Sequence, residues 1–286
     1  RTPEYKTWYR KPFFKNFKEI LNTEKPNIVV AGWPYILAFI AYPSMHFAFK
    51  KNKTKLVLRE IPFWVAPFNK PIQFYKENPA FDEDMKYQKT AGLKFYLSSL
   101  FLALVRKMYY SVSQATLNYA PVALEVQPSY GVKKDRIFVT LNSVDTNELF
   151  KVKQELEKED IPVIPYRLIH VGRLVKWKRV DLLVEALSII CKTYPTASLS
   201  IVGDGPELEN IKKQVNNLGL ENNVIFEGPI YKYDALGKLL MQSSVYVLAG
   251  MGGLSINEAM AFGKPVVCSV CDGTEKVLVR DGKNGY

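Results

Sequence analysis

From Tyr166 onward, short apolar runs alternate with stretches whose apolar residues recur at helical spacing. The pattern predicts strands over Arg167–Val171, Ser198–Val202, Asn223–Phe226, Val245–Leu248 and Pro265–Cys268, and helices near Val180–Lys192, Glu207–Leu218, Asp234–Gln242 and Leu254–Phe262. Strict alternation of strand and helix predicts a parallel sheet covered on both faces, with ligands outside the C-terminal strand ends. The first half is less regular. It predicts a helix over Phe13–Leu21, a strand over Lys25–Gly32 entering a buried sheet and ended by Trp33-Pro34, a helix over Tyr35–Phe49 and a strand over Lys55–Glu60. Leu93–Val105 is the most apolar segment, but even counted from Ala91 it reaches only about 15 residues, where a bilayer span needs roughly 20. It reads as a buried helix, or as an interfacial one flanked by Arg106 and Lys107. A strand over Ile137–Leu141 runs into a turn at Asn142–Asp145. The charged run Lys151–Asp160 and the following IPVIP read as a linker. The expected organisation is α/β: a partial N-terminal domain over 1–150, a linker over 151–165 and a C-terminal domain over 166–286.

Composition narrows this picture in three ways. A chain of 286 residues, 48% hydrophobic, can bury two cores, which excludes disorder as its main theme. It opens at Arg1 without a Met and closes at Tyr286, after what resembles a turn into a strand, so a fragment is expected; no secretory signal is visible. Three cysteines make no disulfide framework, which fits a reducing, cytoplasmic setting. Charge is uneven: residues 1–150 carry 22 Lys and Arg against 12 Asp and Glu, and residues 151–286 carry 17 against 16. The basic segments Arg1–Lys18 and Lys50–Arg59, the first interleaved with Trp8, Tyr9, Phe13, Phe14 and Phe17, suit an anionic membrane surface, a nucleic acid or an acidic acceptor. No nucleic-acid motif accompanies them, so a membrane surface or lipid acceptor ranks first, beside a merely solvated basic face.

Candidate chemistry falls on the strand ends of the second half. After Val245–Leu248 comes a loop with Gly250, Gly252 and Gly253, and a helix begins near Leu254, where open amides and the helix dipole make a site for phosphate. Glu258 lies one turn on, at i+4 from Leu254. Its carboxylate suits a pair of donor hydroxyls such as a ribose diol, or else it is a solvated glutamate beside Ile256, Ala259, Met260 and Gly263. Arg173 and Lys178 follow the strand that holds His170, itself expected to be packed in the sheet; two fixed cations there can hold a diphosphate, or are surface bases beside Lys176 and Arg179. Gly203-Asp204-Gly205-Pro206 makes a tight strand-to-helix turn, and VIFEGPI, Val224–Ile230, ends another strand where backbone groups could meet a base. His46 reads as a packed or surface histidine, Asp82-Glu83-Asp84 as acids opening a helix, and Cys268-x-x-Cys271 as strand-end cysteines rather than a zinc site.

The stretches VGRLVKWKRVDLLVEAL, IVGDGP, NNVIFEGPI and GLSINEAMAFGKPVV, with DGTEKVLVRDGKNG after them, stand in this order over Tyr166–Tyr286. Together they resemble the nucleotide-binding half of the family 4 glycosyltransferases, retaining enzymes of the GT-B fold, which has two Rossmann-like doubly wound domains. YGVKKDRIFVTLNSVDTNELF extends the resemblance more weakly toward the N-terminus. The resemblance implies that Arg173 and Lys178 stabilise a donor diphosphate, that Glu258 binds the ribose, that backbone near Gly253, Leu254 and Ser255 meets phosphate, and that Ile230 meets the base. Gly172, Gly203 and Gly205 belong to the same donor site. Two departures stand out. The family often has a second acid with seven residues between it and the later one, but Gly250 stands there; Asp272 or Glu275 becomes the candidate for a carboxylate near the sugar. The His that the family carries after an early N-terminal strand has no match at Arg59-Glu60. The domain's beginning and the family's last helix are expected to lie outside this chain, which is therefore expected to bind nucleotide weakly and turn over poorly.

The implied reaction moves a sugar from a nucleotide-diphosphate donor to a glycan or lipid-linked acceptor, with retention and without a metal, because Arg173, Lys178 and the helix start would stabilise the leaving phosphate. Two rivals remain: a non-catalytic nucleotide-sugar-binding partner, and a sugar-nucleotide epimerase. The second needs acids and histidines in its cleft, and the chain holds only two His.

Overall fold

The computed structural model describes residues 17–32, 43–78, 90–269 and 274–286. The described chain falls into two compact units that meet in sequence between Leu141 and Asn142. Each is a parallel sheet with helices, as the strand and helix alternation requires.

In the first unit the order is α1 (Phe17–Glu24), β1 (Ile28–Gly32), α2 (Pro43–Lys51), β2 (Lys55–Glu60), α3 (Pro71–Glu77), α4 (Leu93–Val112), β3 (Ala115–Asn118), α5 (Ala123–Val126) and β4 (Ile137–Val139). The four strands lie side by side in chain order, all parallel. Leu21, Met45, Phe49, Leu56, Leu58 and Ile137 share one core. The strand expected from Lys25 begins only at Ile28, because Lys25 still donates to Leu21 O and has φ 44°. It is an edge strand of this sheet, with Ile28 and Val30 exposed rather than buried. His46 is partly exposed on α2. Residues 13–16 and 35–42 of the expected helices, and Asp82-Glu83-Asp84, lie outside the described residues.

A charged network sits in this core. Glu60, the last residue of β2, is 6% exposed. Its Oε1 accepts from Arg106 Nη1 at 3.3 Å and from the Tyr109 hydroxyl at 2.7 Å, and its Oε2 accepts from the Tyr110 hydroxyl and from Gln127 Nε2 at 3.4 Å. Gln127 continues to Asn118 and Thr116. Burial, then the nearby Glu60 charge, pushes the Tyr109 and Tyr110 hydroxyls well up from their ordinary value, so they stay protonated donors. The network fastens α4 to the end of β2 and to β3.

The second unit runs α6 (Thr146–Leu156), β5 (Arg167–Val171), α7 (Val180–Ile190), β6 (Ser198–Val202), α8 (Leu208–Asn217), β7 (Val224–Gly228), α9 (Tyr233–Gln242), β8 (Val245–Leu248), α10 (Ser255–Ala261), β9 (Val266–Cys268) and α11 (Thr274–Leu278). The sheet order is β7-β6-β5-β8-β9, all parallel. The connection therefore reverses direction between β5 and β8, and a crevice opens at the C-terminal ends of those two strands. One sheet face packs Val184, Leu187, Leu199, Ile201, Ile211 and Val215; the other packs Leu149, Ile169, Leu236, Leu240, Tyr246 and Ile256.

The expected linker needs correcting. Residues 151–156 are the second half of α6, whose N-terminus is capped by the Asp145 side chain, accepting from the amides of Asn147 and Glu148. Leu149 and Leu156, seven residues apart, are buried on one stripe, and the charges that suggested a linker are its solvated face.

Glu60→Ala will remove the buried carboxylate to which Arg106, Tyr109 and Tyr110 all donate. It should cost about 3–5 kcal/mol of first-unit stability in urea unfolding, far more than truncation of an exposed glutamate.

Candidate donor-binding site

The loops that follow β5, β6 and β7 are tied to one another through their backbones. Gly172 N donates to Val202 O at 3.0 Å, Leu174 N to Asp204 O at 2.9 Å, Glu207 N to Leu174 O at 3.1 Å and Gly203 N to Gly228 O at 2.8 Å. Such close approach restricts side chains. Gly203 has φ +140°, and a Cβ there would stand 1.9 Å from Gly172 O. A cavity of about 520 Å³ lies at these strand ends, and Gly172, Arg173, Gly203, Gly205, Ile230 and Tyr231 are among its lining residues. Five of those six were singled out in the sequence. Tyr231 was not, although it is 90% exposed, as an aromatic is when nothing in its own chain covers it. Asp204, which also lines the cavity, was seen only as part of a turn.

A second group forms around Lys178. Its Nζ donates to Met251 O and to Gly252 O, both at 2.7 Å, while Met251 N donates to Trp177 O at 2.8 Å. The same Nζ lies 3.2 Å from where a Gly253 Cβ would be, and its Cε lies 3.9 Å from where a Gly172 Cβ would be. Lys178 thus bridges the loop after β5 and the glycine loop after β8. It was expected either to hold a diphosphate together with Arg173 or to be a surface base; here its ammonium is bonded to the glycine loop. Gly250 is fixed by the same contact, because a Cβ there would meet Trp177 O at 2.2 Å and the Lys178 carbonyl carbon at 2.4 Å. No carboxylate can stand at position 250 in this loop.

Leu254 caps α10 without a side-chain bond, and the Ser255 Oγ is engaged with the Tyr246 hydroxyl at 2.7 Å, so the donors of this helix start are backbone amides. Glu258 is half-buried, and burial raises its carboxyl above the ordinary 4.5. It is close enough to Tyr233 and Tyr246 to push their hydroxyls up further than burial alone. It is therefore no fully solvated surface glutamate. Glu275 is 4% exposed in the first turn of α11, so a sugar could reach it only if that turn moved; Asp272 and Cys271 lie outside the described residues.

Beneath the site, His170 is wholly buried in β5, as expected. Its Nδ1 lies 3.2 Å from Val247 O, which can only accept, so Nδ1 carries the proton and Nε2 points toward Gly172. Burial, with the Lys178 charge adding to it, lowers this imidazole to about 4 despite the pull of the Val247 bond.

Known proteins resemble this chain in sequence and in fold. Residues 151–286 match the family model Glycosyl transferases group 1, a span that takes in the whole second sheet. The poly(glycerol-phosphate) alpha-glucosyltransferase of Bacillus subtilis (strain 168) is 35% identical over 128 residues, 44% of this chain and 19% of that protein. The N-acetyl-alpha-D-glucosaminyl L-malate synthase of Bacillus anthracis is 33% identical over 165 residues, 57% of this chain and 40% of that protein. The chain thus spans less than half the length of either relative. The crystal structure of Anabaena Alr3699/HepE in complex with UDP and glucose superposes with a TM-score of 0.59 at 21% identity, over 94% of this chain and 66% of that one. The fold is thus the one found in GT-B glycosyltransferases, α/β with parallel sheets.

The buried imidazole gives a test of this packing. The unfolded chain takes up the His170 proton below about pH 6.5, whereas the native state resists until about 4, so native stability falls as pH drops through that window. We expect a loss of about 3 kcal/mol from this residue, read as the part of the pH dependence of urea unfolding that His170→Gln removes.

Proposed function

We propose that the protein is a glycosyltransferase that moves a sugar from a nucleotide-diphosphate donor to a glycan or lipid-linked acceptor in cell-surface glycan synthesis, with retention of anomeric configuration and without a metal ion. The observation that carries this reading is the bridge from Lys178 to the glycine loop beside the cavity that Arg173 lines. Two cations and open backbone amides at a topological switch point suit a diphosphate, and Ile230 with Tyr231, in the lining of the same cavity as Arg173, suits a base. Glu258, in this reading, grips the ribose diol.

The bond from the anomeric carbon to the diphosphate breaks as negative charge gathers on the leaving phosphate. Arg173 and Lys178 stabilise that charge, and the amides after Gly253 add to them. Each such donor contributes roughly 3 kcal/mol in a site closed to water. The relatives' names support transfer over epimerisation or silent binding. One of these names a polymer as acceptor and the other malate, so similarity in the donor half does not carry an acceptor with it. The UDP in the Alr3699/HepE crystal makes a uridine donor the first to try. Work at a cytoplasmic membrane surface, through the basic first half, goes with a lipid-linked acceptor.

One assay tests the proposal: release of UDP, GDP or ADP from the corresponding nucleotide sugars, with the product's anomeric configuration read by NMR. Arg173→Ala and Lys178→Ala should each lower turnover about 10²- to 10³-fold. A thermal shift with nucleotide, present in the parent chain and lost in both variants, would accompany it. Nucleotide binding without any turnover would favour a binding partner instead. Activity should survive a chelator; loss restored by a divalent ion would refute metal independence.

A further inference from the structure

Helix α4 is amphipathic in the wrong sense for a protein surface. Its buried side carries Arg106, Ser99 and the two tyrosines Tyr109 and Tyr110, the charged end of Arg106 held by Glu60. Its outer side carries Leu93, Leu97, Leu100, Phe101, Leu104 and Met108, between 46% and 73% exposed. At 3.6 residues per turn these six fall within an arc of roughly 100°. Lys94 stands on one border of that arc and Lys107 on the other, both exposed, and the helix contains no Asp or Glu. Beside it, Lys107 Nζ lies 4.4 Å from the centre of the Phe68 ring and Lys76 Nζ lies 5.2 Å from that of Tyr96. The one acid of α3, Glu77, accepts from Gln73.

We propose that this face of α4 lies flat in the headgroup boundary of an anionic membrane. A contiguous apolar stripe on a surface marks an interaction site, and the charges around it decide the partner. A second copy packed face to face would bring Lys94 and Lys107 against their own kind, with no acid on the helix to pair with them. An anionic bilayer supplies the opposite charge, lets the lysine stems cover apolar surface while their ammonium groups reach phosphate, and accepts leucine and phenylalanine between its chains. The excess of Lys and Arg over Asp and Glu in residues 1–150, 22 against 12, points the same way. No helix among the described residues is long and apolar enough to cross a membrane, so α4 lies on the bilayer. The inference narrows the membrane contact of the proposed glycosyl transfer to one surface, and rests on that reading only for its purpose.

Co-sedimentation with phosphatidylcholine vesicles, with and without a fraction of phosphatidylglycerol, tests it. The chain should bind the anionic vesicles, and added salt should weaken the binding. Leu97→Glu with Phe101→Glu should reduce partitioning at least about tenfold, and Lys94→Gln with Lys107→Gln several-fold. Thermal unfolding and the nucleotide-induced shift, read on the same variants, should stay at parent values; that separates loss of this surface from loss of fold, and failure here from failure of the donor-site reading. The proposal is overturned if the parent chain ignores both vesicles, if it binds neutral vesicles equally well, or if the Leu97/Phe101 variant binds undiminished. It is also overturned if the parent sediments as a dimer without lipid and that variant as a monomer, which would assign the face to a second copy.

Discussion

Two hydrogen bonds from the Lys178 ammonium, to Met251 O and Gly252 O, join loops that leave β5 and β8 on opposite sides of the switch point. Parallel strands leave their carbonyl ends ragged at this edge, and the diverging connections are tied by the backbone bond from Met251 N to Trp177 O. Lysine adds a charged hold to that bond. The same ammonium therefore fixes the shape of the glycine loop and gives the crevice its positive potential. Gly250 follows from this arrangement, since the backbone of Trp177 and Lys178 already occupies the space in which its side chain would stand. Position 250 of this loop therefore takes a residue without a side chain.

The crevice is also electrostatically sorted. His170 stays neutral under Lys178 because burial and that cation both oppose its protonation, so the floor of the site adds no second positive charge. Glu258 keeps a raised carboxyl in partly buried surroundings; in its charged form it accepts from hydroxyl donors and repels phosphate. Arg173 and Asp204 face the same cavity with opposite charges, and Ile230 and Tyr231 are uncharged.

The first unit places its charge and its grease the other way round. Glu60, Arg106 and the tyrosine hydroxyls are inside, bonded to one another, and the leucines of α4 are outside. A buried ion pair of this kind is kept because removing one partner is expensive, even where an apolar core would be as stable. Its consequence is orientation: with Arg106 pinned to β2, α4 cannot roll its apolar stripe inward.

Periodicity alone located the five strands and four helices of 166–268, because strands buried on both faces and helices with one apolar stripe leave distinct repeats in the chain. Gly203 and Gly205 stood out for a related reason, since a tight turn at a strand end demands glycine; Gly172, Arg173, Lys178 and Ile230 stood out through the family resemblance as well. Periodicity misjudged α6, where two buried leucines among charges look like a linker until α9 and α10 are present to receive them. It could not orient α4 either, since the side that carries Ser99, Arg106, Tyr109 and Tyr110 is the one turned inward. Nor could it tell that Glu60 would find Arg106, Tyr109 and Gln127, up to 67 positions away in the chain. Local sequence determines what each segment can bury. Which partners it meets, and hence which charge is quenched and which apolar face stays open, depends on contacts between distant segments that only the tertiary structure brings together.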